Sequence, residues 1–150
     1  MNAVQLLFSS TCSPLSWLIR ICTWSTFSHV ALVDGDQVIE SMPGFGVRRI
    51  SLTAALRETS RHERVNLPAN APAQVLAAAA SQIGRAYDYN AVLGLSLHRD
   101  WQQDNAWFCS ELIAWAFQQA GEPLFRAECM RRVTPQHIYM LSALPQAAFN

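Results

Sequence analysis

Apolar and polar positions follow two periods along this chain, and each change of period marks an element. In the stretch after residue 106, apolar residues fall at Cys109, Leu112, Ile113, Ala116, Phe117 and Ala120. Counted from Cys109 this is i+3, i+4, i+7, i+8 and i+11, the stripe of an amphipathic helix that begins at or near the cysteine. Asp104 and Asn105 are candidate N-caps, and Gly121 with Pro123 closes the helix. Ala3 to Phe8, Val47 to Leu52 and His62 to Leu67 have strand composition. Pro14 suits the first turn of a helix to about Thr23, with Leu15, Leu18, Ile19 and Cys22 on its core face. Ser51 caps a short helix through Arg57, Ala71 to Ile83 is an Ala-rich helix ending at Gly84, and Ala91 to Leu97 is another. Leu124 to Met130 reads as irregular, and Thr134 caps a last helix through Leu141.

The clearest strand pair is a hairpin. Phe27 to Val33 is β-prone, Asp34-Gly35 is a two-residue turn signal, and Asp36 to Ser41 returns. With Asp34-Gly35 as the loop, paired positions sum to 69, and His29 lies opposite Glu40. Paired side chains share a face with Cβ atoms roughly 4.5–5.5 Å apart, close enough for a carboxylate to hold one imidazole nitrogen. A three-residue loop makes the sum 70, turning Ser41 toward His29 and Glu40 away.

The length of 150 residues fits one domain with a real core. Apolar residues are 51%, and the 11 basic residues, all Arg, balance 11 acidic ones. Only Arg48-Arg49 and Arg131-Arg132 are adjacent, so there is no basic stripe and no nucleic-acid partner is expected. The cysteines are Cys12, Cys22, Cys109 and Cys129, with no Cys-x-x-Cys pair; neither a metal nor a cofactor is expected. The apolar N-terminus lacks a basic flank, and Arg20 interrupts the run from Leu15 to Ile21. Neither a signal peptide nor a transmembrane segment is expected, and the default setting is cytoplasmic, with free thiols. Non-classical export or phage delivery stays open, as does the oligomeric state.

These elements place one nucleophile and one base in suitable surroundings. A thiol at a helix N-terminus sees the positive end of the dipole and unpaired backbone N–H groups, which favour thiolate and can stabilise an oxyanion. A buried packing cysteine is the plainer alternative for Cys109, as a structural His-carboxylate pair is for His29. Tyr87, in Tyr87-Asp-Tyr-Asn90, is a weaker candidate for an oxyanion or substrate contact, because a buried phenol usually bonds a carbonyl. His98 is a rival base in a polar loop, Trp101 a candidate cleft rim, and His62 and His137 read as surface.

Three stretches together resemble a known group: Phe27-Ser-His-Val-Ala-Leu-Val33 with Val38-Ile-Glu-Ser41, Gly84-Arg-Ala-Tyr-Asp88, and Phe108-Cys-Ser-Glu-Leu112. The chain is similar to the circularly permuted branch of the NlpC-type papain-like superfamily, the YiiX-like amidases and peptidases, in which the His hairpin precedes the Cys helix. The resemblance implies an α+β fold with the Cys helix packed on an antiparallel sheet. It also implies Cys109 as nucleophile, His29 as base, Glu40 as the orienting third residue, and Tyr87 at the border of the site. Many relatives of this kind act on the cell wall and are exported, whereas no signal peptide is expected here.

The leading expectation is a cysteine hydrolase cleaving amide bonds of a small peptide or peptidoglycan stem peptide. The second keeps the chemistry and changes the substrate to a lipid, because the lecithin:retinol acyltransferase-like group is similar in placing a His strand before a Cys helix. An interfacial helix is the discriminator, and Leu15 to Trp24, the one stretch that fits, reads as core. The third expectation is a non-catalytic binding module that keeps the fold.

Overall fold

A computed structural model describes residues 2–97 and 106–142. Strands β1 (Ala3–Ser10), β2 (His29–Asp34), β3 (Gln37–Met42), β4 (Gly46–Ser51) and β5 (Arg61–Pro68) form a five-stranded sheet in the order β4-β3-β2-β1-β5. Every neighbouring pair is antiparallel. Helices α1 (Pro14–Thr23), α2 (Leu52–Arg57), α3 (Pro72–Ala80), α4 (Tyr89–Leu97), α5 (Cys109–Gln119) and α6 (Pro135–Ser142) surround it, so the fold is α+β as expected. Two elements absent from the sequence reading are β6 (Ala86–Tyr87) and β7 (Ala106–Trp107), which pair in parallel. The stretch read as irregular instead carries a 3₁₀ helix, Ala127–Arg132.

Period-two alternation divides the sheet's residues between two cores. Leu6, Phe8, Val30, Leu32 and Ile39 meet Leu112, Ile113, Ala116 and Phe117 of α5. Leu7, Ala31, Val33 and Val38 face the other way, toward Ala55 of α2. Burial of each large α5 side chain contributes about 1.5–3 kcal/mol. Eight consecutive-turn residues of α5 from Cys109 to Phe117 are buried, so the helix start is fixed by its packing. Its N-cap is Phe108, which offers no side-chain cap bond. That corrects the expectation of Asp104 or Asn105 as cap. These two, with His98 and Trp101, lie outside the described residues.

The hairpin corrects the register by two. Observed pairs are Leu32↔Ile39, Val33↔Val38 and Asp34↔Gln37, so the loop is Gly35-Asp36. Gly35 has φ +62° and Asp36 does not have positive φ, the pattern of a turn with glycine in its first position. An Asp34-Gly35 loop of the mirror type would have put Asp34 in the left-handed region, which glycine fills at less cost. A shift of two leaves every side chain on its expected face.

Helix α1 has the predicted bounds, and of its expected core face Leu15, Ile19 and Cys22 turn inward whereas Leu18 does not. Ser13 caps it, its Oγ accepting from Ser16 N at 3.1 Å. Ser16 and Ile19 are buried, but Trp17 (61%), Leu18 (36%), Ile21 (52%) and Trp24 (92%) are exposed. The expected core face containing Leu18 is therefore only partly right, and the apolar residues run around the helix. Trp24 ends the helix at φ +51°, the left-handed cap conformation. A bulky side chain there carries roughly 1–3 kcal/mol of strain.

Gly46 is where β4 meets the segment before β6. Val47 N donates to the Arg85 carbonyl at 2.8 Å, and Gly84 N donates to the Val47 carbonyl at 2.9 Å. A Cβ on Gly46 would lie 2.2 Å from that Arg85 oxygen, and φ is +70°. Gly46→Ala is expected to cost more than about 2 kcal/mol in urea unfolding, because both overlap and left-handed strain apply. Gly35→Ala, which meets nothing within 4 Å, is expected to cost only about 1 kcal/mol. Equal losses would contradict this account of the junction.

Candidate active site

His29 opens β2, and Glu40 stands near the middle of β3 on the same face. Continuing the observed register puts Glu40 opposite Ala31, which makes it a diagonal neighbour of His29. The carboxylate spans that diagonal: His29 Nε2 and Glu40 Oε2 are 2.8 Å apart. Ser41 faces the other way, so the three-residue-loop alternative does not occur. Its Oγ donates to the Trp107 carbonyl at 2.7 Å, tying β3 to the residue two before Cys109.

The Cys109 side chain lies close enough to the His29 ring to raise the imidazole's pKa. With Nε2 engaged by Glu40, Nδ1 is the nitrogen left for sulfur. Cys109 is the first residue of α5 and is buried, whereas Cys12 and Cys129 are exposed; all four cysteines are free thiols. The first-turn N–H groups of α5 have no acceptor within their helix, which suits them to a developing oxyanion. The elements therefore bring together the three residues picked out from the sequence.

The electrostatics follow from this chain of contacts. Burial alone would lower the His29 pKa, but hydrogen bonds to Cys109 and Glu40, and their charges, raise it to about 10. Burial would raise Glu40, but the His29 hydrogen bond and charge, followed by those of Arg48, hold its carboxyl below the usual range. Arg48 Nε donates to Glu40 Oε1 at 2.9 Å. Arg48 Nη2 is 2.7 Å from the same oxygen, an ion-pair contact without hydrogen-bond alignment. The guanidinium also stands 4.2 Å over the Phe45 ring centroid and reaches toward Glu58 at 3.6 Å.

Tyr87 pairs with Trp107 across β6 and β7, which brings it beside the start of α5. Burial, then the neighbouring charge of Cys109, pushes its pKa well above the usual phenol value, so it stays a neutral hydroxyl. Its ring meets Tyr89 edge-on at 5.0 Å and Phe108 at 6.2 Å. Tyr87, His29 and Glu40 all line a small cleft, walled by Leu7, Ser9, Leu15 and Ile19. His62 and His137 are exposed, as expected from the sequence.

No family model matches the chain. It is 29% identical, over 158 aligned residues, to the protein named "Probable lipoprotein peptidase YaeF" of Escherichia coli (strain K12). The match takes in 83% of this chain and 58% of that protein, so the chain spans little more than half the length of this curated relative. The fold is that of the metalloprotein YiiX from Escherichia coli O157:H7, whose crystal structure superposes with a TM-score of 0.64 at 19% identity. That likeness covers 83% of this chain and 69% of YiiX. The chain thus has a YiiX-like fold.

Among the described residues, no group of three or more His, Cys, Asp or Glu side chains is placed to hold a metal ion. His29 is engaged between Cys109 and Glu40, and Glu40 is engaged by Arg48, so these donors do not fit a metal.

Three supporting residues escaped the sequence reading. Arg48 pairs directly with Glu40 across β3 and β4, and the Pro/Gly turn at Met42 to Gly46 carried the signal for that hairpin. Ser41 enters the sequence pattern only as the alternative to Glu40, yet its Oγ fastens β3 to the Trp107 carbonyl. Asp88, fully buried, accepts from Ala91 N at 2.9 Å and starts α4; an Asp before an apolar run is a cap signal.

The shifts predict a pH dependence with a definite sign. A His29 pKa raised from 6.5 to about 10 adds stability that is complete below 6.5 and lost as pH climbs toward 10. The Glu40 contribution runs oppositely, present above its unfolded value of 4.5 and lost as pH falls. Urea unfolding of wild type and His29→Gln is expected to show a stability gap that closes between pH 6.5 and about 10. A gap that stays constant across that window would contradict the charge chain.

Proposed function

We propose that this protein is a cysteine hydrolase of the papain-like, circularly permuted NlpC type, cleaving an amide bond in a peptide or peptidoglycan stem peptide. The observation that carries the reading is the position of His29, held by Glu40 through Nε2 at 2.8 Å and close enough to Cys109 for the two to interact electrostatically. A base oriented by a carboxylate and pointed at a nucleophile is the arrangement acyl transfer requires. The chain order supports it, with the His strand before the Cys helix, and so does its similarity to a protein named a peptidase.

In the proposed reaction His29 Nδ1 takes the Cys109 proton and sulfur attacks the carbonyl carbon. Glu40 stabilises the imidazolium, and Arg48 keeps the carboxylate charged and aimed. The oxyanion faces the first-turn N–H groups of α5, with the neutral Tyr87 hydroxyl as a second candidate donor. The imidazolium then protonates the leaving amine, which departs as the C–N bond breaks. His29 finally draws a proton from water, whose oxygen attacks the thioester and releases the acid and the free thiol.

A second reading keeps these steps and changes the acyl donor to a lipid ester. The apolar side chains Leu7, Leu15, Ile19 and Ala55 on the cleft wall favour it. A panel of peptide amides, muropeptides and phospholipid vesicles separates the two. For whichever class turns over, His29→Ala is expected to lower kcat/KM by roughly 100- to 10,000-fold. Cys109→Ala should abolish turnover, and Arg48→Gln should lower it by less than His29→Ala. Wild-type turnover in His29→Ala would sink the assignment.

A further inference from the structure

We infer that the outer face of α1 seats this protein on an anionic phospholipid surface. Trp17, Ile21 and Trp24 follow the i, i+4, i+7 spacing and project on one side of the helix, with Leu18 beside them. Trp24 is 92% exposed and Trp17 61%, values unusual for the largest apolar side chain. A single exposed apolar residue needs no explanation, but a stripe of four on one helix does.

The backbone adds an independent observation. Trp24 is the one non-glycine residue with positive φ among the described residues, at +51°. Helices usually place glycine in that conformation. Here a strained position holds a side chain that packs on almost nothing within the protein. The indole therefore contributes through something outside the chain.

The choice of occupant follows from area and charge. The exposed parts of the four side chains sum to on the order of 500 Å², below the about 800 Å² per partner of a specific protein interface. A second copy is therefore too weakly held by this stripe alone. Helix α1 has no acidic residue, and its one charge is the exposed Arg20. Arg61, also exposed, stands 5.3 Å over the Phe27 ring, three residues past the helix cap. The nearby Glu63 accepts from the Tyr139 hydroxyl at 3.0 Å. Tryptophans beside arginines are the side chains that settle at the boundary between acyl chains and phosphate headgroups. No helix of the described residues is long and apolar enough to cross a membrane, so the protein would lie on the surface. The opposite face of the same helix, with Leu15, Ser16 and Ile19, walls the cleft that holds His29 and Glu40. Docking by α1 would thus hold that cleft close to the bilayer.

The inference does not rest on the hydrolase reading, and it is tested in a Cys109→Ser background. Binding to phosphatidylcholine vesicles with and without phosphatidylglycerol is measured by flotation and by the blue shift of tryptophan emission. Binding is expected with phosphatidylglycerol and weakened by salt. Trp17→Ser with Ile21→Ser and Trp24→Ser should reduce it at least roughly tenfold. Trp24→Gly separates surface from fold, because it should leave the Tm unchanged or higher while weakening vesicle binding. Equal vesicle binding by wild type and the triple variant would overturn the inference. So would absence of binding, including the case where sedimentation shows a dimer that the triple variant dissolves.

Discussion

A carboxylate 3% exposed to water must be surrounded by compensating charge, and Glu40 sets the terms for everything near it. An uncompensated buried carboxylate would cost several kcal/mol or take up a proton. Here one oxygen meets His29 and the other meets Arg48. Both cations reach it because β3 lies between β2 and β4, so that two antiparallel pairings converge on one side chain. The imidazole that Glu40 holds in turn lies near Cys109. Neutralising Glu40 would remove one of the two influences, after that of Cys109, that raise the His29 pKa.

The other half of the site is placed by hydrophobic packing. Helix α5 is buried along most of its length against Leu32, Ile39 and their neighbours, which leaves its N-terminus no freedom to move away from the sheet. Two polar contacts then set the last few ångströms. The Trp107 carbonyl accepts from Ser41 Oγ at 2.7 Å and from Asp88 N at 3.2 Å. The strand carrying Glu40 and the strand carrying Tyr87 are thus fastened to the same peptide just ahead of Cys109. Nonpolar burial supplies most of the energy, and these few directional bonds supply the alignment.

The α5 stripe and the presence of a hairpin turn at Gly35 were legible because each rests on a strong local period or a demanding backbone conformation. Glu40 was legible for a sturdier reason than register: strand side chains repeat every two residues, so a loop misplaced by one position preserved the facing of His29 and Glu40. Arg48 is not legible in the sequence because its contact with Glu40 needs the pairing of β3 with β4 as well as that of β2 with β3. Strands β6 and β7 are two residues each, too short to carry a pattern, yet they bring Tyr87 to the site. On helix α1 Leu15, Ile19 and Cys22 were legible as core-facing and Leu18 was not, because apolar residues run around the helix and periodicity cannot set the edge of its buried face. Its outer face is also where the structure departs most from ordinary solvent-exposed composition.

The central claim is that His29 activates Cys109, and native-state alkylation tests it most directly. Iodoacetamide labelling of each cysteine, followed by peptide mass spectrometry at neutral pH, compares wild type with His29→Ala. Cys12 and Cys129 are exposed and Cys109 is 1% exposed, so accessibility alone ranks Cys109 last. The account predicts the opposite, with Cys109 labelled first in wild type and last in His29→Ala. Slow labelling of Cys109 in both proteins would contradict it and make the thiol a packing residue.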